Sequence, residues 1–159
     1  MSIGWKRAAQ STLGATIVAA SLNIGTPSAF AAFEDRENMF SSQVCASPGS
    51  STFKFKLYYH SWLEGAYRNF GYSVWSFQRL EDGVGSVQDP VAYCAGTGDG
   101  SGKAVKNNAA SSKNAHASYS AQIFYNTGFK GAKDILPPLS SVSRLTNTYN
   151  NNASFNWSN

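Results

Sequence analysis

The sequence contains one ten-residue pattern twice. Residues 57–66 read LYYHSWLEGA, residues 123–132 read IFYNTGFKGA, and the two segments align without a gap. A second pattern follows each copy in the same order, NNAASS at residues 107–112 and NNNASF at residues 150–155. Two markers that recur in one order indicate two copies of a single supersecondary unit.

Each copy is predicted to contain a half-buried β-strand, because its aromatic and branched residues alternate with period two. The residues predicted to face inward are Phe53, Phe55, Leu57 and Tyr59 in the first copy and Tyr119, Ala121, Ile123 and Tyr125 in the second. The residues between them are predicted to face outward, with Lys54 and Lys56 in solvent beside Tyr58 in the first copy, and Ser118, Ser120, Gln122 and Phe124 in the second.

A glycine follows each strand where the chain must turn back. Gly65 and Gly131 come six residues after the last inward tyrosine of their copies. Glycine adopts positive φ without steric cost, so each position permits a sharp reversal. Residues 67–77 and 133–139 are then predicted to form return strands, with Pro137-Pro138 confined to an edge or a turn.

These features together resemble the βγ-crystallin fold. An aromatic strand, a glycine six residues later and an Asn/Asp-Asn/Asp-x-x-Ser/Thr-Ser arch mark that superfamily, and the likeness spans about residues 53–157. The second arch departs from the pattern, with Phe155 in the place of its last serine. Within the superfamily the chain is most similar to small secreted actinobacterial peptidase inhibitors. The resemblance implies an all-β sandwich of two Greek-key motifs, repeat 1 at about 53–112 and repeat 2 at about 119–157.

The N-terminus has the pattern of a secretory signal peptide. Lys6 and Arg7 precede a mostly apolar run, Leu13 to Leu22, and Ala29-Phe30-Ala31 is a small-x-small cleavage site. The run is shorter than the roughly 20 apolar residues that span a bilayer, although an uncleaved anchor is the alternative. Cleavage after Ala31 would release a single extracellular domain, residues 32–159.

If the protein is secreted, its two cysteines, Cys45 and Cys94, are predicted to form a disulfide, because an even count in an oxidising compartment implies pairing. A buried pair of free thiols is the alternative. The bridge would join the segment before the first strand to a long loop in repeat 1.

Charge argues against nucleic acid as a partner. Removing residues 1–31 leaves 11 basic and 9 acidic residues with no basic run, which is far from a polyanion-binding surface. Stable membrane insertion after processing is not expected, and the oligomeric state is left open.

Repeat 1 is longer than repeat 2. From Gly65 to Asn107 is 42 residues, whereas from Gly131 to Asn150 is 19, and the excess falls mostly within Glu81–Lys103. Its many glycines exclude a helix, and the glycine run before Lys103 lacks the spacing of a phosphate-binding loop, which leaves it as a flexible approach to the arch. Residues Phe33–Phe40 form either one or two helical turns, with acidic residues near the start, or a frayed terminus.

No catalytic pattern is recognisable. The two histidines, His60 and His116, have no zinc-ligand spacing, and no Gly-x-Ser-x-Gly elbow is present. Glu81-Asp82 are adjacent acids, which point apart in a strand and are solvated in a loop. The chain is therefore predicted not to be an enzyme and to require no cofactor.

Similarity to calcium-binding crystallins implies a weak calcium site in the arches, with side-chain, backbone and hydroxyl oxygens as ligands. The implied residues are Asn107, Asn108, Ala109, Ser111, Asn150, Asn151, Asn152 and Ser154. None is acidic, so the alternative is that these side chains only close the arch by local hydrogen bonds.

Two functions follow. The resemblance implies a peptidase inhibitor, with metallopeptidases among its targets, and the insertion supplies the candidate inhibitory loop: Gly83, Val84, Gly85, Ser86, Val87, Gln88, Asp89, Pro90, Val91, Ala92 and Tyr93. The alternative is a non-inhibitory extracellular module that binds calcium, cell-wall carbohydrate or another secreted protein. Four aromatics suit sugar stacking if exposed, or the core if buried: Trp62, Tyr67, Tyr72 and Trp75.

Overall fold

The computed structural model describes residues 29–159, which consist of one N-terminal helix followed by antiparallel strands. The elements are α1 (Ala29–Phe40), β1 (Phe55–Tyr58), a 3₁₀ turn (Ser61–Leu63), β2 (Tyr67–Phe70), β3 (Leu80–Glu81), β4 (Val87–Gln88), β5 (Ser111–Asn114), β6 (Ser120–Asn126), β7 (Lys130–Leu136), β8 (Ser140–Val142) and β9 (Ser154–Ser158). The predicted signal peptide lies outside the described residues except for its last three, which fall within α1. No helix in residues 29–159 has the length and hydropathy needed to cross a bilayer.

The strands form two main sheets that exchange segments between the repeats. One sheet has the order β2-β1-β5-β8 and the other β7-β6-β9, while β3 and β4 make a separate hairpin. Strand β8 of repeat 2 thus pairs with β5 of repeat 1, and Val74 of repeat 1 bridges to Phe155 in β9. The predicted fold class, an all-β crystallin-like sandwich of two Greek keys, is confirmed.

The exchange is reciprocal, which gives the sandwich an approximate twofold relation. The Phe77 N–H donates to the carbonyl of Ala153 at 2.8 Å, and the Leu145 N–H donates to the carbonyl of Ala110 at 2.9 Å. Ala110 and Ala153 occupy the same position in their arches, so each repeat holds the other at an equivalent point.

Phe155, the residue at which the second arch departs from the pattern, lies in the core. Phe155 is fully buried and stacks on Phe55, with ring centroids 3.8 Å apart. Its counterpart Ser112 is also buried, and its hydroxyl donates to the Lys56 carbonyl at 2.8 Å. The same position therefore fills the core in one repeat and satisfies a strand carbonyl in the other.

The predicted alternation of β1 is wrong on its outer face. All four residues of β1 are buried, including Lys56 and Tyr58. The cause is residues 41–53, which cover this face. The Asn69 side chain on β2 binds the carbonyls of Gln43 and Ala46 at 2.9 and 2.8 Å, which fixes that segment against the sheet.

The alternation also fails at both ends of β6. Ala121 and Ile123 are buried as predicted, whereas Tyr119 and Tyr125 are exposed and Phe124 is buried. The pairing of β6 with β7 shifts register between Phe124 and Asn126, and such a bulge changes which face the following residue occupies.

The first residues that the structure describes, 29–40, lie against the sandwich. Residues 29–40 are helical, which favours the helical alternative over the frayed one, but the first turn contains no acidic residue, so the predicted acidic start is wrong. The Cys45–Cys94 disulfide is confirmed, with Cα atoms 5.6 Å apart.

Burial of Lys56 predicts a pH dependence of stability. Its ammonium group donates to the Phe53 carbonyl at 2.8 Å, and burial, together with the charges of Lys54 and Lys113, lowers the pKa of Lys56 to about 8. The unfolded chain keeps this proton up to about pH 10. Between pH 8 and 9.5 the unfolded state therefore binds more protons, and the free energy of unfolding is expected to rise by about 1–2 kcal/mol.

Urea unfolding across this pH range checks the prediction. Lys56→Met is expected to abolish the rise, whereas Lys54→Met, at an exposed neighbouring position, is expected to keep most of it. Burial raises the pKa values of Tyr58 and Tyr93, so these phenols do not titrate in the folded state within the window. A rise that persists in Lys56→Met would assign it to another group.

Candidate functional site

The two arches contact each other across the approximate twofold axis. The Asn107 N–H donates to the Asn152 carbonyl, and the Asn150 N–H donates to the Ala109 carbonyl, both at 2.9 Å. Asn107 and Asn150 have φ values of 61° and 53°, in the left-handed region that asparagine tolerates better than most residues. The carbonyls of Ala109 and Asn152, two of the residues that the resemblance implies for calcium, therefore already join the repeats.

The arch serines bind the turn of the neighbouring β-hairpin. The Ser111 hydroxyl donates to the His60 carbonyl at 2.6 Å and accepts the Leu63 N–H at 3.0 Å. The Ser154 hydroxyl repeats this arrangement with Asn126 and Phe129, at 2.7 and 3.1 Å. The ten-residue pattern and the arch pattern recur together because each serine ties its arch to its own repeat's turn.

The arch asparagines also bind backbone groups. The amide nitrogen of Asn108 donates to the carbonyls of Ala104 and Lys106, and that of Asn151 donates to Tyr149. Asn152 is fully buried, and its side chain accepts the N–H of Ala109 at 3.0 Å. These bonds support the architectural alternative, and calcium binding by the eight implied residues stays a prediction.

Removing an arch hydroxyl should destabilise the protein independently of calcium. Ser111→Ala leaves the His60 carbonyl and the Leu63 N–H without this partner, and losing such bonds costs about 1–3 kcal/mol. We expect a lower melting temperature by the same amount in chelator and in millimolar calcium, measured by circular dichroism. Ser140→Ala is the control, because its hydroxyl bond to Pro137 is exposed. A loss seen only with calcium present would contradict the architectural role.

The predicted inhibitory loop is a protruding hairpin followed by a buried anchor. Strands β3 and β4 form the hairpin, whose tip, residues 83–86, includes Val84 with 78% of its surface exposed. Pro90 is also exposed, whereas Val91 and Tyr93 are 0% and 2% exposed. The predicted segment 83–93 is therefore too long as a contact surface, because Val91 and Tyr93 lie in the core and cannot reach a partner.

Asp82 holds the hairpin tip in shape. Its Oδ1 atom accepts the N–H groups of Val84 and Ser86 at 3.0 and 2.8 Å, and its own N–H donates to the Ser86 carbonyl at 3.1 Å. Hydrogen bonding from Ser86, more than the backbone bond from Val84, lowers the pKa of Asp82. The tip is thus closed by its own residues in the ionised state.

Arg68 joins the hairpin base to the sandwich. This buried guanidinium donates to the Ala92 carbonyl at 2.8 Å, to the Asn38 carbonyl at 2.7 Å and to the Gln88 side chain at 2.8 Å. No carboxylate pairs with it in residues 29–159, and burial lowers the pKa of Arg68 to about 10. One side chain therefore connects β2, α1 and the insertion, a role with no sequence signal beyond an arginine in a predicted strand.

The glycine-rich stretch after the hairpin packs against repeat 1, so it is not the flexible segment that the sequence predicted. A Cβ atom at Gly100 would clash with the ring of Tyr59. The Asp99 carbonyl accepts the Ala66 N–H at 2.7 Å, and its carboxylate binds His60 at 2.7 Å. The hydrogen bond between His60 and Asp99 joins this stretch to the turn of repeat 1 and lowers the pKa of Asp99.

Two of the four candidate sugar-stacking aromatics are exposed. Trp62 and Trp75 expose 75% and 62% of their surface, so the core interpretation is wrong for them, while Tyr67 and Tyr72 are half-buried. Trp62 also has a φ of 67°, and its equivalent in repeat 2 is Gly128.

The histidines serve local structure. His116 accepts the N–H groups of Ser118 and Tyr119 at its Nδ1 atom, and His60 faces Asp99. Across residues 29–159, no group of three or more His, Cys, Asp or Glu side chains is placed to hold a metal ion.

Comparison with known proteins yields one structural similarity. No protein-family model matches the sequence, and no curated protein is significantly similar to it. A solved structure from work on the evolution of the eye lens beta-gamma-crystallin domain fold is 19% identical, with a TM-score of 0.48, covering 67% of this chain and 85% of that chain. The fold assignment rests on this chain's own strand order and register, and no ligand or activity is carried over from that structure.

Proposed function

We propose that the protein is secreted and inhibits an extracellular peptidase by placing the tip of the β3–β4 hairpin in the enzyme's cleft. The observation that carries the proposal is an exposed apolar tip, centred on Val84, that is closed by Asp82 and held at its base by Arg68. The N-terminal pattern and the disulfide support secretion, since such bridges persist in oxidising compartments.

Fixing the tip before binding favours affinity. Ordering a flexible loop on association costs about 0.5–1.5 kcal/mol for each immobilised side chain, and a loop already in its bound shape avoids much of that cost. Further bonds hold the flank of this hairpin: Gln78 donates to Asp89 at 2.7 Å, and Arg79 lies 3.8 Å from the same carboxylate.

A panel of extracellular metallo- and serine peptidases tests the proposal. We expect the purified protein to reduce the activity of at least one enzyme on a small peptide substrate, with a one-to-one end point on titration. Bovine serum albumin at equal mass is the control for substrate competition. No inhibition of any panel member at tens of micromolar protein would remove the proposal.

An extracellular binding module is the second candidate. The exposed faces of Trp62 and Trp75 favour it, because large exposed aromatics commonly mark interaction surfaces.

A further inference from the structure

A cleft of about 840 Å³ lies beside the hairpin base, between α1 and the turn of repeat 2. Its aromatic wall is Trp75 with Phe129, whose rings meet edge to face at 5.3 Å. Gly128 supports the indole: its N–H donates to the Trp75 carbonyl at 2.9 Å, and a Cβ atom there would lie 2.9 Å from the ring. Trp75 is therefore held in place while 62% of its surface stays exposed.

Acidic side chains also line the cleft. Glu34 and Asp35 on α1 line the cleft together with Glu81 and Arg79. Arg79 contacts the carboxylates of Glu81 and Asp89, so its charge is already balanced. Among residues 29–159 no hydrogen bond or ion pair reaches the Glu34 carboxylate, and Asp35 accepts a single bond, from the Glu81 N–H at 3.1 Å.

The two α1 carboxylates both have raised pKa values. Burial, followed by the charge of Asp35, raises the pKa of Glu34, and burial raises the pKa of Asp35 despite its bond from Glu81. A bound positive group would lower both pKa values, since an opposite charge within about 4–6 Å favours the ionised carboxylate.

The polar groups of the cleft are less suited to sugar hydroxyls. The Ser73 hydroxyl donates to Asn156 at 2.8 Å and accepts the Trp157 N–H at 3.2 Å, while the Ser76 hydroxyl lies 3.5 Å from that of Thr127. These groups are engaged with one another, whereas neither α1 carboxylate has a cationic partner among residues 29–159. Charge complementarity therefore favours a cation over a neutral carbohydrate.

We propose that this cleft binds a lysine or arginine side chain presented by a partner protein, with the cationic group between the Trp75 indole and the carboxylates of Glu34 and Asp35. An aromatic face beside carboxylates attracts ammonium and guanidinium groups through the ring quadrupole and the opposite charge. The proposal does not depend on peptidase inhibition, because the cleft and the hairpin tip are formed by different residues.

Nuclear magnetic resonance titration with short peptides tests the site. The probes are acetyl-Gly-Lys-Gly-amide and acetyl-Gly-Arg-Gly-amide, and the matched controls replace the basic residue with norleucine or glutamine. The readout is the indole N–H signal of Trp75, assigned by its loss in Trp75→Phe. We expect saturable shifts with the basic peptides at a dissociation constant on the order of millimolar, and little or none with the controls.

Substitutions on α1 distinguish binding in the cleft from nonspecific electrostatic attraction of the peptides. Glu34→Gln combined with Asp35→Asn is expected to weaken the basic peptides about fivefold or more, whereas Glu37→Gln on the same helix is expected to change little. Equal shifts with norleucine would indicate apolar binding and overturn the proposal. Shifts with an N-acetylglucosamine oligomer alone would assign the cleft to carbohydrate, and no shift at tens of millimolar peptide would also overturn it.

Discussion

Replacing Cys45 and Cys94 together with alanine is expected to lower the free energy of unfolding by about 4 kcal/mol. The bridge joins residues 49 apart in sequence. Closing a loop of that length lowers the conformational entropy of the unfolded chain, and this loss corresponds to about 4 kcal/mol at 25 °C. The disulfide also fixes residues 41–53 over β1 and β2, where Val44, Phe53 and Cys94 form a small separate cluster. Equilibrium urea unfolding of the two proteins measures the difference.

Reduction of the wild-type protein with a thiol provides the control, since it should give the same loss without changing side-chain volume. Below the melting temperature the hairpin should stay in place, because Tyr93 is buried and the Cys94 N–H donates to Tyr67 independently of the bridge. A loss below about 1 kcal/mol would contradict the loop-entropy account.

Val84→Asp is expected to weaken inhibition by about 30-fold or more without changing the melting temperature. Central interface residues commonly contribute about 2 kcal/mol or more, and a carboxylate at an apolar contact adds a desolvation penalty. Val84 is highly exposed in the free protein, so the substitution leaves the core intact. The inhibition constant against the peptidase identified in the panel gives the effect.

Two further variants interpret that result. Leu139→Asp places the same charge at another residue that is 72% exposed, outside the insertion, and is expected to leave inhibition unchanged. Asp82→Ala removes the acceptor that closes the tip and is expected to weaken inhibition through loss of order. Equal inhibition by wild type and Val84→Asp would move the contact surface away from the hairpin.

The repeat patterns predicted the fold because they reflect a local requirement that occurs twice. Each turn glycine, Gly65 and Gly131, has the positive φ expected of it, and each arch serine binds that turn. The strand exchange had no comparable signal. Pairing of β8 with β5 depends on contacts between repeats, which a pattern within one repeat does not encode.

The errors on β1 have a related cause. Period-two alternation assumes that one sheet face is solvated, but residues 41–52, which carry no strand pattern, and Phe53 still cover Lys56. From the sequence alone, a buried lysine that donates to one backbone carbonyl cannot be distinguished from a lysine exposed to solvent.

The candidate sites were predictable only in part. Glycines and a proline located the insertion, but its exposed portion is set by Asp82 and Arg68, whose partners lie two to thirty residues away. The acidic cleft was missed because it joins Glu34 on the helix to Trp75 and Phe129 from different repeats. Packing between such distant segments produces no periodic pattern in the sequence from which the cleft could be predicted.

Amide hydrogen exchange of the peptidase complex tests the central claim most directly. Compared with the free protein, the complex should show its largest gain in protection at residues 82–90, with smaller changes along α1 and none in the arches. Protection that appears at the arches or at Ser61–Leu63, with residues 82–90 exchanging as in the free protein, would contradict the hairpin as the inhibitory element.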